Sequence, residues 1–310
     1  MSEKSLIKES EGTEIINLKG GAYQPGLSFR EYRFLERTLD TTLPVVNCST
    51  LKAETTIDMH ALVHPNPEEE EKKEGKRPFV LGDALHKAVL EPDYLDREDD
   101  FFVRCPTSGL DTKSAIETRK ANPGKIVIDK DGKVLAEARA MRDAIYRDEK
   151  AMYWIDQARV ESTPYAELTG VCADPEGEFI RKIRVDLCPG LRPEENPGNF
   201  LLDLKTVDSS KFMPRRFWTQ CRDFGYYTQG AYYLDTDSII RTGSMDNPRE
   251  HFIIIAVEKT APYKVIVYKL KQERIDEGRS TYQLRMAMLA HALRNNEWEG
   301  LEYEGAYVEV

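Results

Sequence analysis

The sequence predicts an α/β sandwich in which a mixed β-sheet carries helices on both faces. Three observations point to it. First, β-rich runs at 166–174 (AELTGVCAD), 178–188 (EFIRKIRVDLC) and 198–207 (GNFLLDLKTV) are separated by the turn-forming clusters DPEGE and PGLRPEENPG, which reads as an antiparallel meander. Second, HFIIIAVEK (251–259) and YKVIVYKLK (263–271) make a hydrophobic strand pair. Third, segments of helical periodicity lie before, between and after these strands.

Residues 1–45 are polar and contain KGGAYQPG, with only FREYRFLERTL (29–39) suggesting a short helix; they form an N-terminal extension to a domain spanning 46–310. In NCSTLKAE (47–54), Ser49 or Thr50 is the expected N-cap, with Glu54 in the first turns. HPNPEEEEKKEGKRP (64–78) is a charged loop bounded by prolines. FVLGDALHKAVLEP (79–92) then places Leu81, Leu85 and Val89 at helical spacing before Pro92 closes it. KIVIDKDGKVLAEARAMRDAIYRDEKA (125–151) is a short strand, an Asp-Gly turn and an amphipathic helix. Asp129-x-Asp131-Gly132 is a plain turn, because the remaining ligands of a calcium loop are absent. MPRRFWTQCRDFGYYTQGAYYLDTDS (213–238) is helical. The last element, 272–298, is a long helix with Leu284, Met288, Leu289 and Leu293 on its apolar stripe.

The totals bound the function. A chain of 310 residues with 40% hydrophobic and 32% charged residues can bury a substantial core. No apolar run approaches the ~18 residues of a membrane span, and the N-terminus lacks a signal-peptide pattern, so a cytosolic protein is expected. Five cysteines (48, 105, 172, 188 and 221) form no C-x-x-C pair, which argues against zinc ribbons and disulfide frameworks. Neither GxxxxGK[ST] nor GxGxxG occurs, so a nucleotide-binding fold is not expected. The net charge of −10 leaves room for a local basic groove on an otherwise acidic surface.

NFLLDLKT (199–206) carries the chemistry. Alternation puts Leu202 and Leu204 on one face of a strand and Asp203 and Lys205 on the other, with Asp186 reaching that face from the preceding strand. Two carboxylates converging in an apolar setting repel each other and lose hydration. A hard divalent cation, Mg²⁺ or Mn²⁺, relieves both effects. A neighbouring lysine can then orient the attacking water or stabilise charge on the phosphate.

Asp186 followed by Asp203-Leu-Lys205 resembles the PD-(D/E)xK nuclease motif, with Val185 standing where the motif has proline. Over about residues 46–300 the chain resembles the phage and prophage exonuclease VIII (RecE-like) nuclease domain. LGDALHKAVLEP is similar to that family's helix bearing a metal-site histidine, here His86. TQGAYY is similar to its Q-x-x-x-Y helix, giving Gln229 and Tyr233, and the strand pair and the helix ending in NNEW also fit. The resemblance implies a restriction-endonuclease-like core holding Mg²⁺ through His86, Asp186, Asp203 and the Leu204 carbonyl, with Lys205, Gln229 and Tyr233 completing the catalytic set. It further implies 5′→3′ digestion of linear double-stranded DNA ends in the cytoplasm of a bacterial host. A ring-shaped homo-oligomer and a single-strand annealing partner in recombination belong to the same picture. Glu167 is a further acid that could join the metals.

For DNA, Lys182 and Arg184 share the strand parity of Asp186, and Lys211, Arg215 and Arg216 follow Lys205 with Phe212, Phe217 and Trp218 interleaved. Basic groups with aromatics that can stack on bases suit a DNA groove. A structure-selective endonuclease and a non-catalytic DNA-binding scaffold are the rival functions on this fold.

Overall fold

The computed structural model describes residues 15–25, 32, 35, 39, 41–64, 75–91, 98–160, 164–191 and 198–300. A hairpin of β1 (Ile16–Leu18) and β2 (Gly21–Gln24) is followed by β3 (Val45–Val46). Helices α1 (Cys48–Lys52), α2 (Thr56–Val63), α3 (Arg77–Leu90) and α4 (Glu98–Phe101) come next. Strands β4 (Phe102–Arg104) and β5 (Ile126–Ile128) pair in parallel, joined through α5 (Lys113–Ala121). Helices α6 (Lys133–Arg147) and α7 (Glu149–Val160) lead into β6 (Pro164–Ala173), β7 (Ile180–Pro189) and β8 (Phe200–Val207). After α8 (Pro214–Asp223) and α9 (Tyr226–Thr242) come β9 (His251–Glu258), β10 (Val265–Lys269) and α10 (Gln272–Asn295).

The main sheet runs β1-β2-β6-β7-β8-β9-β10, with β3 as an eighth strand paired to β7. Pairing is antiparallel except at β8–β9 and β3–β7, so the sheet is mixed, as the sequence predicts. Alternation along β8 and β9 feeds two cores. Leu202, Leu204, Ile253 and Ile255 face α3, α6 and α7. Leu201 and Ile254 face α1, α2, α9 and α10. Helices thus cover both faces, and Asp203 and Lys205 share the parity of Leu201 on the α9 side.

Several boundaries differ from the expectation. Asn47, not Ser49 or Thr50, caps α1: its side-chain oxygen accepts from Ser49 N at 2.8 Å and Thr50 N at 3.2 Å, satisfying two orphan amides at once. Thr55 then caps α2 by accepting from Asp58 N. Pro78 sits in the first turn of α3, which therefore starts before Phe79. The helical region after Lys205 is two helices, because Gly225 adopts φ +60 between them. Residues 29–39 and the charged segment 64–78 lie largely outside the described residues. Asp129 accepts from Lys133 N and Val134 N and starts α6, in keeping with a turn. All five thiols are free and buried. Among the described residues, no helix is long and apolar enough to cross a membrane.

The buried stripe of α10 is Ile275, Gly278, Tyr282, Met286 and Leu289, while Leu284 is exposed. Leu289 and Leu293 of the predicted stripe do pack on the core, and the contact face also runs through Gly278, where α10 approaches α9 so closely that a Cβ would lie 2.1 Å from the Tyr227 carbonyl oxygen. A backbone atom cannot swing aside, so Gly278→Ala is expected to destabilise the protein by about 1–3 kcal/mol, the range for overpacking. Thermal denaturation of the variant measures it.

One ionic network ties the sheet to α9. Asp237 is fully buried and accepts from Tyr23 Oη at 2.8 Å, Arg241 Nε at 2.7 Å and Arg249 Nε at 3.1 Å. Arg249 also donates to the carbonyls of Pro189, Gly190 and Gly198, gathering the ends of the β7–β8 connection. Burial opposes ionisation of Asp237, but the guanidiniums of Arg249 and Arg241 outweigh it and hold the carboxyl below its usual range.

Candidate active site

The site sits where the sheet forks. Strands β7 and β8 pair at Leu187↔Leu202 and then part, while the other half of β7 takes β3 as its neighbour through Val46↔Arg181. Antiparallel register places Asp186 and Asp203 next to that last pair, facing each other across the opening. Asp186 Oδ2 accepts the Leu204 N–H at 2.7 Å, so a side chain replaces a missing ladder partner. On the opposite layer, α3 brings His86 Nε2 to 3.3 Å from the Leu204 carbonyl oxygen and 3.6 Å from Asp186 Oδ2.

From the α9 side, Gln229 Nε2 donates to Asp203 Oδ1 at 2.7 Å, and Lys205 Nζ lies 2.5 Å from Asp203 Oδ2. Tyr233, one turn after Gln229, lines the same cavity of about 200 Å³, together with His86, Asp186, Asp203 and Lys205. Burial raises the Asp203 carboxyl above its usual range, and the Asp186 charge adds to that. Burial works against the Lys205 ammonium, yet Asp203 and Asp186 hold it protonated well above an ordinary lysine.

Among the described residues no three His, Cys, Asp or Glu side chains converge into a ready-made cage. The donors do fit a hard cation that keeps part of its water: two facing carboxylates, one disfavoured as an anion by the other, with a carbonyl and an imidazole beside them. His86, Asp186, Asp203 and the Leu204 carbonyl are therefore the groups placed to hold a divalent metal ion.

The remaining predicted residues fall in different places. Glu167 lies in β6 opposite Asp186, where the β6–β7 register skips a pair between Ala166↔Leu187 and Leu168↔Val185 and its φ is +47. Its buried carboxylate is bound by Arg184 Nη2 at 2.6 Å and by Lys87. Burial opposes its charge, but those cations win and hold it ionised below the usual range. Arg184 lines the cavity beside Asp186. Lys182 has the expected parity, but it is almost fully buried and its Nζ donates to the Tyr32 carbonyl at 2.8 Å, so it does not present a charge to DNA. Arg215 and Arg216 are exposed on α8, with Arg216 donating to Ser210 O. The side chain of Lys211 lies outside the described residues. Of the interleaved aromatics only Trp218 is exposed. Phe212 and Phe217 are buried in the core, and Phe217 stacks on Tyr268 with 4.0 Å between ring centres.

Sequence reasoning missed Lys52 and Asp83, which line the cavity, and Lys87, which holds Glu167. Asp83 was within reach, since it precedes His86 by three residues and so shares its helix face. Lys52 arrives from a five-residue helix whose spacing carries no such signal.

Helices on both faces of a mixed sheet, with an acid and an acid-x-lysine strand meeting at its fork, are the marks of a PD-(D/E)xK-type nuclease fold. A family described as "PDDEXK-like domain of unknown function" (DUF3799) matches residues 47–302, and the chain belongs to that family. A solved structure titled "Putative exonuclease" from Eubacterium rectale superposes with a TM-score of 0.53 at 15% identity, covering 92% of this chain and 95% of that one. No curated protein matches the chain.

Proposed function

We propose that this protein is a Mg²⁺-dependent exodeoxyribonuclease that degrades linear double-stranded DNA. The observation that carries this is the meeting of Asp186, Asp203 and Lys205 in one cavity with His86 and Gln229. A divalent cation held by these residues would supply Lewis acidity toward the phosphate and the attacking water. Lys205 directs its ammonium at the same point, where it orients the nucleophile and offsets charge developing on the phosphate. Gln229 fixes the Asp203 carboxylate by taking one oxygen and leaving the other to Lys205. Arg215 and Arg216, exposed on α8, supply positive charge for the DNA backbone.

The resemblance supports 5′→3′ polarity that leaves a 3′ strand for an annealing protein, carried out by a ring-shaped homo-oligomer around the duplex. Duplexes labelled separately at each 5′ and 3′ end, incubated with Mg²⁺, are expected to lose the 5′ label as mononucleotide or short product first, while covalently closed circles persist. Rapid loss of circles would establish an endonuclease instead. Duplex binding without any metal-dependent cleavage would establish a scaffold.

A further inference from the structure

We infer that Lys52 is a phosphate-binding residue of this cavity, holding a backbone phosphate of the DNA strand; the inference rests on the nuclease reading above. Lys52 closes α1, outside the strands and helices that carry the nuclease motif, yet its ammonium enters the site. Its Nζ lies 3.4 Å from Gln229 Oε1 and 5.5 Å from the centre of the Tyr226 ring, whose field also receives Lys205 Nζ at 5.3 Å. One tyrosine ring therefore steadies two ammonium groups in the same cavity.

The fold makes room for this side chain. Gly225 carries φ +60, and a Cβ on it would lie 2.9 Å from Lys52 Cγ and 3.2 Å from both Cδ and Cε. The absent side chain at 225 is thus the channel through which the lysine stem reaches the site. Charge accounting then separates Lys52 from its neighbours. Of the Lys and Arg side chains lining the cavity, Lys205 is held by Asp203 and Arg184 by Glu167. Lys52 has no carboxylate partner among the described residues; its contacts are an amide oxygen, a ring face and the Cys48 thiol. A half-buried cation with no carboxylate partner among the described residues, beside the groups that would act on a phosphodiester, is complementary to a phosphate oxygen. A lysine suits this task as a compact point charge.

A role in positioning Gln229 would appear in turnover alone, whereas a phosphate contact appears in the salt dependence of binding. The test is equilibrium binding of a short duplex to the full chain in EDTA, titrated over KCl concentration. Lys52→Met is expected to reduce the slope of log Kd against log salt by about 0.9, the increment for one phosphate contact, while Lys52→Arg retains it. Gly225→Ala, which crowds the lysine stem, is expected to shift the slope in the same direction. Lys113→Met removes the same charge from a side chain that is 91% exposed on α5 and is expected to leave the slope unchanged. A Lys52→Met protein that melts like the wild type and keeps the full slope overturns the inference while leaving the nuclease reading intact. A wild-type protein that neither binds nor cleaves duplex overturns both.

Discussion

Lys205→Met is expected to lower DNA hydrolysis by about 10²–10³-fold, the loss that follows removal of one preorganised charge-stabilising donor. The substitution keeps the length of the stem but leaves the Asp203 oxygen at 2.5 Å without its cation. Turnover of a labelled linear duplex under saturating substrate isolates the effect, because a donor that acts in the transition state lowers turnover more than it weakens binding. Lys205→Arg is not expected to rescue it: the planar guanidinium is bulkier and points its donors in a fixed fork, in a cavity that already holds Lys52 and Gln229. Asp203→Asn should fail for the complementary reason, since it removes the negative charge that orients Lys205 and would hold the cation. Turnover equal to wild type in Lys205→Met or Asp203→Asn would move the chemistry to another site.

Arg249→Ala is expected to be strongly destabilising, by about 3–5 kcal/mol, the range for breaking a buried ion pair. It leaves Asp237 in the interior with Arg241 and Tyr23 and frees three backbone carbonyls at the ends of the β7–β8 connection. A fall in melting temperature of roughly 5–8 °C follows at the entropy typical of a chain this size. The pH dependence carries a second signature. Because the folded carboxyl of Asp237 is held below its unfolded value, its contribution is present above the unfolded carboxylate range and is lost as pH falls through the folded value. Asp237→Asn should therefore flatten the acid limb of melting temperature against pH. A limb as steep as that of the wild type would assign acid unfolding to other groups.

Much of this was legible in the chain because strands announce their faces. Period-two alternation was enough to set Asp203 and Lys205 apart from Leu202 and Leu204, and helical spacing was enough to align Gln229 with Tyr233. What stayed hidden was long-range geometry. Nothing in RKIR reveals that Lys182 ends on the Tyr32 carbonyl while Arg184, on the same strand face, reaches Glu167. Parity gives a direction but not the depth of the layer it points into. On α10 only Leu284 was misplaced, for a related reason: it is apolar, yet the contact face runs through Gly278, whose value is its absence of bulk. Phe212 and Phe217 likewise look like base-stacking residues until the core beneath α8 claims them.

Asp186 has a consequence for how this protein can evolve. Acids that gather at a reactive centre usually weaken the fold, and replacing them tends to raise stability at the expense of activity. Here one such acid also completes the sheet by accepting the amide of Leu204, so its loss leaves a buried N–H without a partner. On the proposed role, substitution by alanine is expected to forfeit activity and stability together, whereas an exchange that keeps an acceptor oxygen in place is expected to spare the fold. If Asp186 serves the proposed chemistry, the usual trade-off is closed at this position, because folding as well as function would oppose drift away from the acid.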